Sequence, residues 1–200
     1  PYLYANCNLW LHRMEERLHQ QKSDCLKIVI YGPESTGKTT LTKALAKAYH
    51  TNWVPEFARD YLQQKWDSTR EVCDKEDLIQ IVKGQIEAEN KMLLTANDFL
   101  FCDTNALVTQ VWSETHFEGY CDPRIKQWAN SFHYDYYFLT HIDVPWQADD
   151  LRDRPNDREK MFDAFRESLL KKNLPFTILK GTHETRLKQA QKVLNNLLIE

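Results

Sequence analysis

No apolar run in this chain approaches the ~20 residues that a membrane-spanning helix needs, so no span is expected. The opening segment PYLYANCNLWLHR lacks a basic start and an unbroken apolar core, and reads poorly as a secretory leader. The cysteines at 7, 25, 73, 102 and 121 are odd in number and scattered, with no C-x-x-C pair. That excludes a recognisable disulfide framework or zinc ribbon and suits a reduced, cytoplasmic setting. The histidines form no H-E-x-x-H spacing, so no zinc centre is expected. A basic excess is missing too. Lys and Arg total 26 against 29 Asp and Glu, a net charge of -3. A dedicated nucleic-acid surface would need the opposite balance. A small phosphorylated ligand needs only a few well-placed cations. Internal repeats and low-complexity tracts are absent, and nothing marks a boundary between domains.

What remains is a chain with 42% hydrophobic residues, enough for one full core at this length. Short β-branched or aromatic runs alternate with helical patterns. Strands are expected at 26–32, 51–57, 98–104, 134–143 and 175–181. Helices are expected near 38–49, 75–96, 105–114, 123–132 and 156–171, with a last one after Thr182. The alternation predicts an α/β fold, a five-stranded parallel sheet flanked by helices. Residues 26–200 read as this one domain. Residues 1–25 read as an N-terminal extension with two equal alternatives, a native start or a natural start at Met14 preceded by non-native residues. Ligands of such sheets sit beyond the carboxyl ends of the strands, where Gly32, Glu56, Asp103 and Asp143 all fall.

The segment GPESTGKT, Gly32 to Thr39, satisfies G-x-x-x-x-G-K-[ST] between a predicted strand and a predicted helix, the context a P-loop requires. Glycine is scarce here (five residues), and two stand where the motif demands them. The loop of Gly32, Glu34, Ser35, Thr36, Gly37, Lys38, Thr39 and Thr40 is expected to wrap ATP phosphates with backbone N–H groups and a helix N-terminus. Lys38 would reach the β- and γ-phosphates, and the Thr39 hydroxyl would help hold Mg²⁺. The run FLFCDT ends an apolar strand on Asp103, the Walker-B arrangement that holds the same metal. An Asp that merely caps the following helix is the plainer alternative.

EFARD, residues 56–60, follows the second strand, where small-molecule kinases of this scaffold bind the acceptor. Glu56 is placed to accept a hydroxyl proton, although a Glu favoured by a helix dipole is as good a reading of the segment alone. Residues 141–160 pack Asp149, Asp150, Asp153, Asp157 and Glu159 among Arg152, Arg154, Arg158 and Lys160, a candidate charged lid after the fourth strand.

From Lys27 onward these motifs resemble the ribosylnicotinamide kinase domain of NadR-type bacterial proteins, one of the P-loop small-molecule kinases with an AAA-like ATPase core. The family pattern is a G-x-E-S-[ST]-G-K-[ST] loop, an E-[YF]-x-R-[ED] segment, a strand ending in Asp-Thr and a W-x-x-D-x-x-R lid. Here these stand as GPESTGKT, EFARD, Asp103–Thr104 and WQADDLR. The resemblance implies ATP-dependent phosphorylation of nicotinamide riboside to nicotinamide mononucleotide, a step of NAD biosynthesis. It implies catalytic roles for Lys38, Asp103, Glu56, Arg152 and Arg154, with Asp103 ahead of Glu56 as proton acceptor. It implies acceptor contacts from Glu56, Arg59, Asp60, Thr104, Asn105, Trp146 and Asp149, with Trp146 stacked on the pyridine ring. Phe57, Tyr61 and Trp112 are candidates to complete an aromatic pocket, and residues 181–183 to border the adenine. Ala58, Asp60, Asn105 and Asp150 depart from the usual family residues around the acceptor. Those departures leave open thiamine or another nucleoside as acceptor. A regulatory ATPase or nucleotide sensor stands as the rival outside the kinase class. No sequence resembling the family's nucleotidyltransferase or helix-turn-helix is found, so neither adenylyltransferase nor repressor activity is expected. No nucleic-acid or membrane partner is expected, and a homo-oligomer is compatible with the sequence.

Overall fold

Strand β1 (Leu26–Tyr31) is buried on both faces from Lys27 onward, the pattern of a central strand in a covered parallel sheet. The computed structural model describes residues 18–152 and 155–199. Met14 and Arg154, both named from the sequence, lie outside the described residues. After β1 come α1 (Lys38–Ala48), β2 (Trp53–Val54), α2 (Phe57–Thr69), α3 (Asp77–Leu93), β3 (Phe99–Asp103), α4 (Ala106–His116) and α5 (Pro123–Ser131). The chain then forms β4 (Tyr136–Thr140), α6 (Arg158–Lys171), β5 (Phe176–Leu179) and α7 (His183–Leu197). The five strands pair in parallel in the order β2-β3-β1-β4-β5. The α/β fold expected from the alternation is therefore the one observed.

The period-2 alternation of the strands divides the core between two faces. Ile28 and Ile30 of β1 turn with Phe101 and Phe138 toward Leu41 and Leu45 of α1 and Ala190 and Leu194 of α7. Val29 and Tyr31 turn the other way, with Leu100 and Leu139, onto Leu107 of α4 and Phe165 and Leu169 of α6. Each fully buried Leu, Ile or Phe contributes roughly 1.5–3 kcal/mol, so both faces anchor β1 firmly. A third cluster joins Leu78 and Val82 of α3 to Ile125 and Trp128 of α5, with Ala58 and Leu62 of α2 packed at its margin.

In-register pairing of Ile30 with Asp103 and of Tyr31 with Leu139 brings the ends of β1, β3 and β4 to one edge. Strand β2 is two residues long, shorter than 51–57, because Pro55 has no N–H for a ladder and Glu56 already precedes a helix. That helix, α2, escapes the apolar periodicity because none of its residues is fully buried. It contributes Ala58, Arg59, Asp60 and Leu62 to the lining of a cleft. Among the described residues, no helix is long and apolar enough to cross a membrane.

Candidate active site

The turn after β1 is held by backbone geometry that side chains resist. Gly32 has φ 132, and a Cβ there would sit 2.9 Å from Thr140 Oγ1 and 3.1 Å from the Thr140 carbonyl oxygen. Gly37 (φ 81) and Ser35 (φ 54) also adopt left-handed conformations, curling the backbone so that successive N–H groups converge. The Thr36 hydroxyl meets Thr140 Oγ1 at 2.7 Å and donates to the Pro33 carbonyl at 2.8 Å. Lys38, buried at the start of α1, donates to the same carbonyl at 2.9 Å. The loop is thus braced from inside while its amide face opens on a cleft of about 1060 Å³.

Asp103 ends β3 beside the P-loop, in register with Ile30 of β1. Its Oδ2 accepts a 2.5 Å hydrogen bond from Thr39, while Oδ1 is buried without a partner. Burial, and after it the nearby Glu56 carboxylate, raise Asp103 above its ordinary value, against the pull of Lys38 and the Thr39 bond. The next residue, Thr104, is held at φ 75, a strained conformation that a packed site sustains. An orphaned carboxylate oxygen beside a hydroxyl, both hard oxygen donors, fits Mg²⁺, which takes few protein ligands and completes its shell with phosphates and water. Consistent with so sparse a donor set, no group of three or more His, Cys, Asp or Glu that would hold a metal by itself occurs among the described residues.

Beyond the P-loop the same cleft is walled by residues of three helices, a chamber continuous with the phosphate end. Glu56, Ala58, Arg59, Asp60 and Leu62 line it from the α2 side, Leu78, Ile81 and Gln85 from α3, and Val108, Thr109 and Trp112 from α4. Trp112 stacks on His116 with ring centroids 3.8 Å apart, and Phe117 meets the indole edge-on, so the far wall is aromatic. Phe57 and Tyr61 are not in that wall. Phe57 is pressed against Gly84 of α3, and the Tyr61 hydroxyl donates to Asp77 at 3.0 Å. Of the three candidate pocket aromatics, Trp112 alone lines the cleft.

The loop after β4 closes over the P-loop. The Gln147 N–H donates to Ser35 Oγ at 2.7 Å, and Arg158 donates to the carbonyls of Val144 (2.9 Å) and Ser35 (3.3 Å). Arg152 lines the cleft and binds Asp149 and the Gln147 carbonyl. Asp149 does not line the cleft. Partial burial pushes its pKa up, but Arg59 at 2.6 Å, the Leu151 N–H and Arg152 together hold it below the usual carboxylate value. Trp146 also stays out of the main cleft. It borders a small recess with Pro33, Glu34, His116 and Met161, and the Arg158 guanidinium lies 5.8 Å from its ring centroid. Asn105 is likewise turned away, because its Oδ1 caps α4 at the Val108 N–H (3.2 Å) and its Nδ2 donates to Tyr137 (3.3 Å). In this conformation Trp146 packs in its recess, Asn105 caps α4 and Asp149 latches the loop to α2, all three outside the main cleft. The other described site residues, from Gly32 to Thr40 and from Glu56 to Thr104 with Arg152, come together on one cleft.

Two lining residues carry no motif. Arg186 of α7 is buried and donates to the carbonyls of Thr36 (2.6 Å), His141 (2.9 Å) and Gly181 (3.0 Å), and to Asp143. It ties the P-loop to the turn after β5, where His183 also reaches the cleft. Gln85 is buried in α3, where a polar residue among Leu78, Ile81, Val82 and Ile86 is the one legible signal.

The sequence profile of the AAA domain family matches residues 27–186. The trifunctional NAD biosynthesis/regulator protein NadR of Salmonella typhimurium LT2 is 28% identical over 155 residues, covering 76% of this chain and 38% of that protein. Its Escherichia coli K12 counterpart is 28% identical over 151 residues, covering 74% and 37%. The chain therefore spans less than two fifths of the curated relatives it matches. Among solved structures, NadR protein in complex with NR superposes with a TM-score of 0.73 at 21% identity, over 86% of this chain and 51% of that one. Deoxyadenosine kinase from M. mycoides, with dCMP bound, gives 0.64 at 13% identity, over 86% and 100%. Both likenesses speak to the fold.

Proposed function

We propose that this chain, which belongs to the AAA domain family, is an ATP-dependent kinase for the primary hydroxyl of a nucleoside-like acceptor, with nicotinamide riboside the first candidate. The observation that carries the reading is a single cleft that joins a braced P-loop to an aromatic-walled chamber, with Asp103 and Glu56 at the junction. The NadR relatives at 28% identity support the choice of acceptor.

Catalysis on this reading is positioning plus charge stabilisation. Lys38 leaves the neutral Pro33 carbonyl for phosphate oxygens, the stronger, charged acceptors. Thr39 and Asp103 would hold Mg²⁺, which neutralises charge on the phosphates when bound. The acceptor oxygen bonds to the γ-phosphorus as the β–γ bridge breaks, and ADP leaves. The hydroxyl proton passes to a carboxylate. We favour Glu56 over Asp103 for that role, because Asp103 is fully buried and already engaged by Thr39, whereas Glu56 is half-buried on the chamber wall. Arg152, on the cleft's lid side, screens the transferring group.

The test is an ATP-coupled screen of nicotinamide riboside, thiamine and common nucleosides, with Lys38→Ala as the blank. ADP formation that depends on one of these acceptors and disappears in the blank supports the proposal. ATP loss independent of any acceptor supports the regulatory ATPase instead.

A further inference from the structure

Gln85 is only 3% exposed and forms part of the chamber wall on α3. Its Oε1 accepts from the Phe57 N–H at 2.9 Å, which fixes the orientation of the amide. The other end, Nε2, is buried and has no hydrogen-bond partner. A buried amide nitrogen with both donors unspent is costly, and proteins rarely keep one without a use. Ile81 and Leu78, one and two turns away on the same helix, are apolar, and the aromatic Trp112 lines the same cleft. In that setting a planar ring is held by apolar contact, and one polar group decides which ring edge is accepted.

We infer that Gln85 is a specificity-determining residue, whose Nε2 donates to a carbonyl oxygen or unprotonated ring nitrogen on the acceptor's planar heterocycle. The inference rests on the kinase reading and deepens it by naming the ring chemistry selected. A ring presenting an amino group at this point would set donor against donor and be rejected. A ring lacking any polar group there would leave Nε2 unpaired, and sites built around a hydrogen bond discriminate against such analogues most strongly. The carboxamide oxygen of nicotinamide riboside meets the requirement. Phe57 follows Glu56 directly, so the N–H that orients the amide lies one residue from the junction carboxylate. Ring recognition and hydroxyl placement are thereby joined through one backbone bond.

The rival reading is that Gln85 serves only to anchor Phe57 through Oε1. Gln85→Met removes both the acceptor for Phe57 and the donor, and the two readings part in its substrate preference, because a lost anchor harms ribosides with and without a carboxamide alike, whereas a lost donor erases the difference between them. We expect the acceptor KM to rise about tenfold or more, the loss of one buried hydrogen bond, with the ATP KM within about twofold of wild type. The wild-type enzyme should prefer nicotinamide riboside over the same riboside without its carboxamide by a similar factor, and Gln85→Met should lose that preference. Gln85→Leu, equally unable to donate, serves the same comparison if the Met variant does not fold. An unchanged acceptor KM in a folded variant, or a wild-type enzyme indifferent to the carboxamide, overturns the inference and leaves the kinase reading standing. If wild-type protein phosphorylates no acceptor at all, both fall together.

Discussion

The Arg59 guanidinium donates to Asp149 Oδ2 at 2.6 Å, and this bond joins α2 on one rim of the cleft to the loop after β4 on the other. Asp149 also binds Arg152, so a single carboxylate connects the α2 wall of the acceptor chamber to a cation facing the P-loop side. The hydrogen bond raises the Arg59 pKa, against partial burial. Both partners are partly exposed, so the contact adds little to global stability. Its effect belongs to closure. Arg59→Ala and Asp149→Ala should each lower kcat/KM for the acceptor by about 3- to 10-fold, and the double variant should be no worse than the poorer single one. Strictly additive losses would show that the two residues act separately. Thermal midpoints within a few degrees of wild type would confirm that the fold is spared.

Lys38→Ala should lower kcat by on the order of 10³-fold or more, since charge stabilisation is asked to supply most of the rate. Pro33 keeps the Thr36 hydroxyl as a donor, so the loop should hold its shape. Asp103→Asn should instead raise the Mg²⁺ concentration for half-maximal activity about tenfold or more, because a ligand charge is lost while an oxygen remains for Thr39. A Mg²⁺ titration of steady-state rates tells the two effects apart.

Alanine in a helix normally stabilises by about 1 kcal/mol over glycine, yet Gly84→Ala should do harm. A Cβ on Gly84 would lie 2.2 Å from the nearest Phe57 ring atom. The ring must move, and with it the backbone between Glu56 and the Gln85 amide. We expect a loss of about 1–3 kcal/mol from overpacking and a raised acceptor KM, with nucleotide binding retained. Urea unfolding and paired KM values for ATP and acceptor check both halves.

These contrasts show where the sequence was legible. The unit β1–P-loop–α1 follows from local rules, since glycines, a lysine and a β-branched run specify it within a few residues. Strand order does not, because nothing in FLFCD says that β3 lies between β1 and β2. Helix α2 was hidden because its work is to line a cleft, not to bury a stripe. The cap that Asn105 makes on α4 was not legible, because an N-cap and a polar contact use the same residue type. The recess of Trp146 was not legible either, because it is formed with Arg158, a residue of a helix that begins well beyond it. Gln85 was overlooked because one polar residue in an apolar stripe looks like noise until its neighbour Phe57 is in place.

The chain carries a second buried carboxyl far from any motif, and it predicts an acid-side gain in stability. Glu89 of α3 is fully enclosed and accepts from the Tyr134 hydroxyl at 2.8 and 3.1 Å and from Gln20 at 3.3 Å. Burial raises it to about 7, although those bonds and Lys27 pull the other way. The folded state therefore keeps a proton that the unfolded chain releases near its ordinary value of 4.5. The stabilisation is complete below that lower value and is lost as pH rises through about 7. A gap of that size corresponds to about 3 kcal/mol at most. Glu89→Gln has no proton to release and can still accept from Tyr134, so its stability should vary less between pH 5 and 8 than that of wild type. The readout is the difference in urea midpoint between the two proteins across that range, which removes the contribution of the histidines. Parallel pH profiles would mean that Glu89 is ionised in the folded protein at every pH tested.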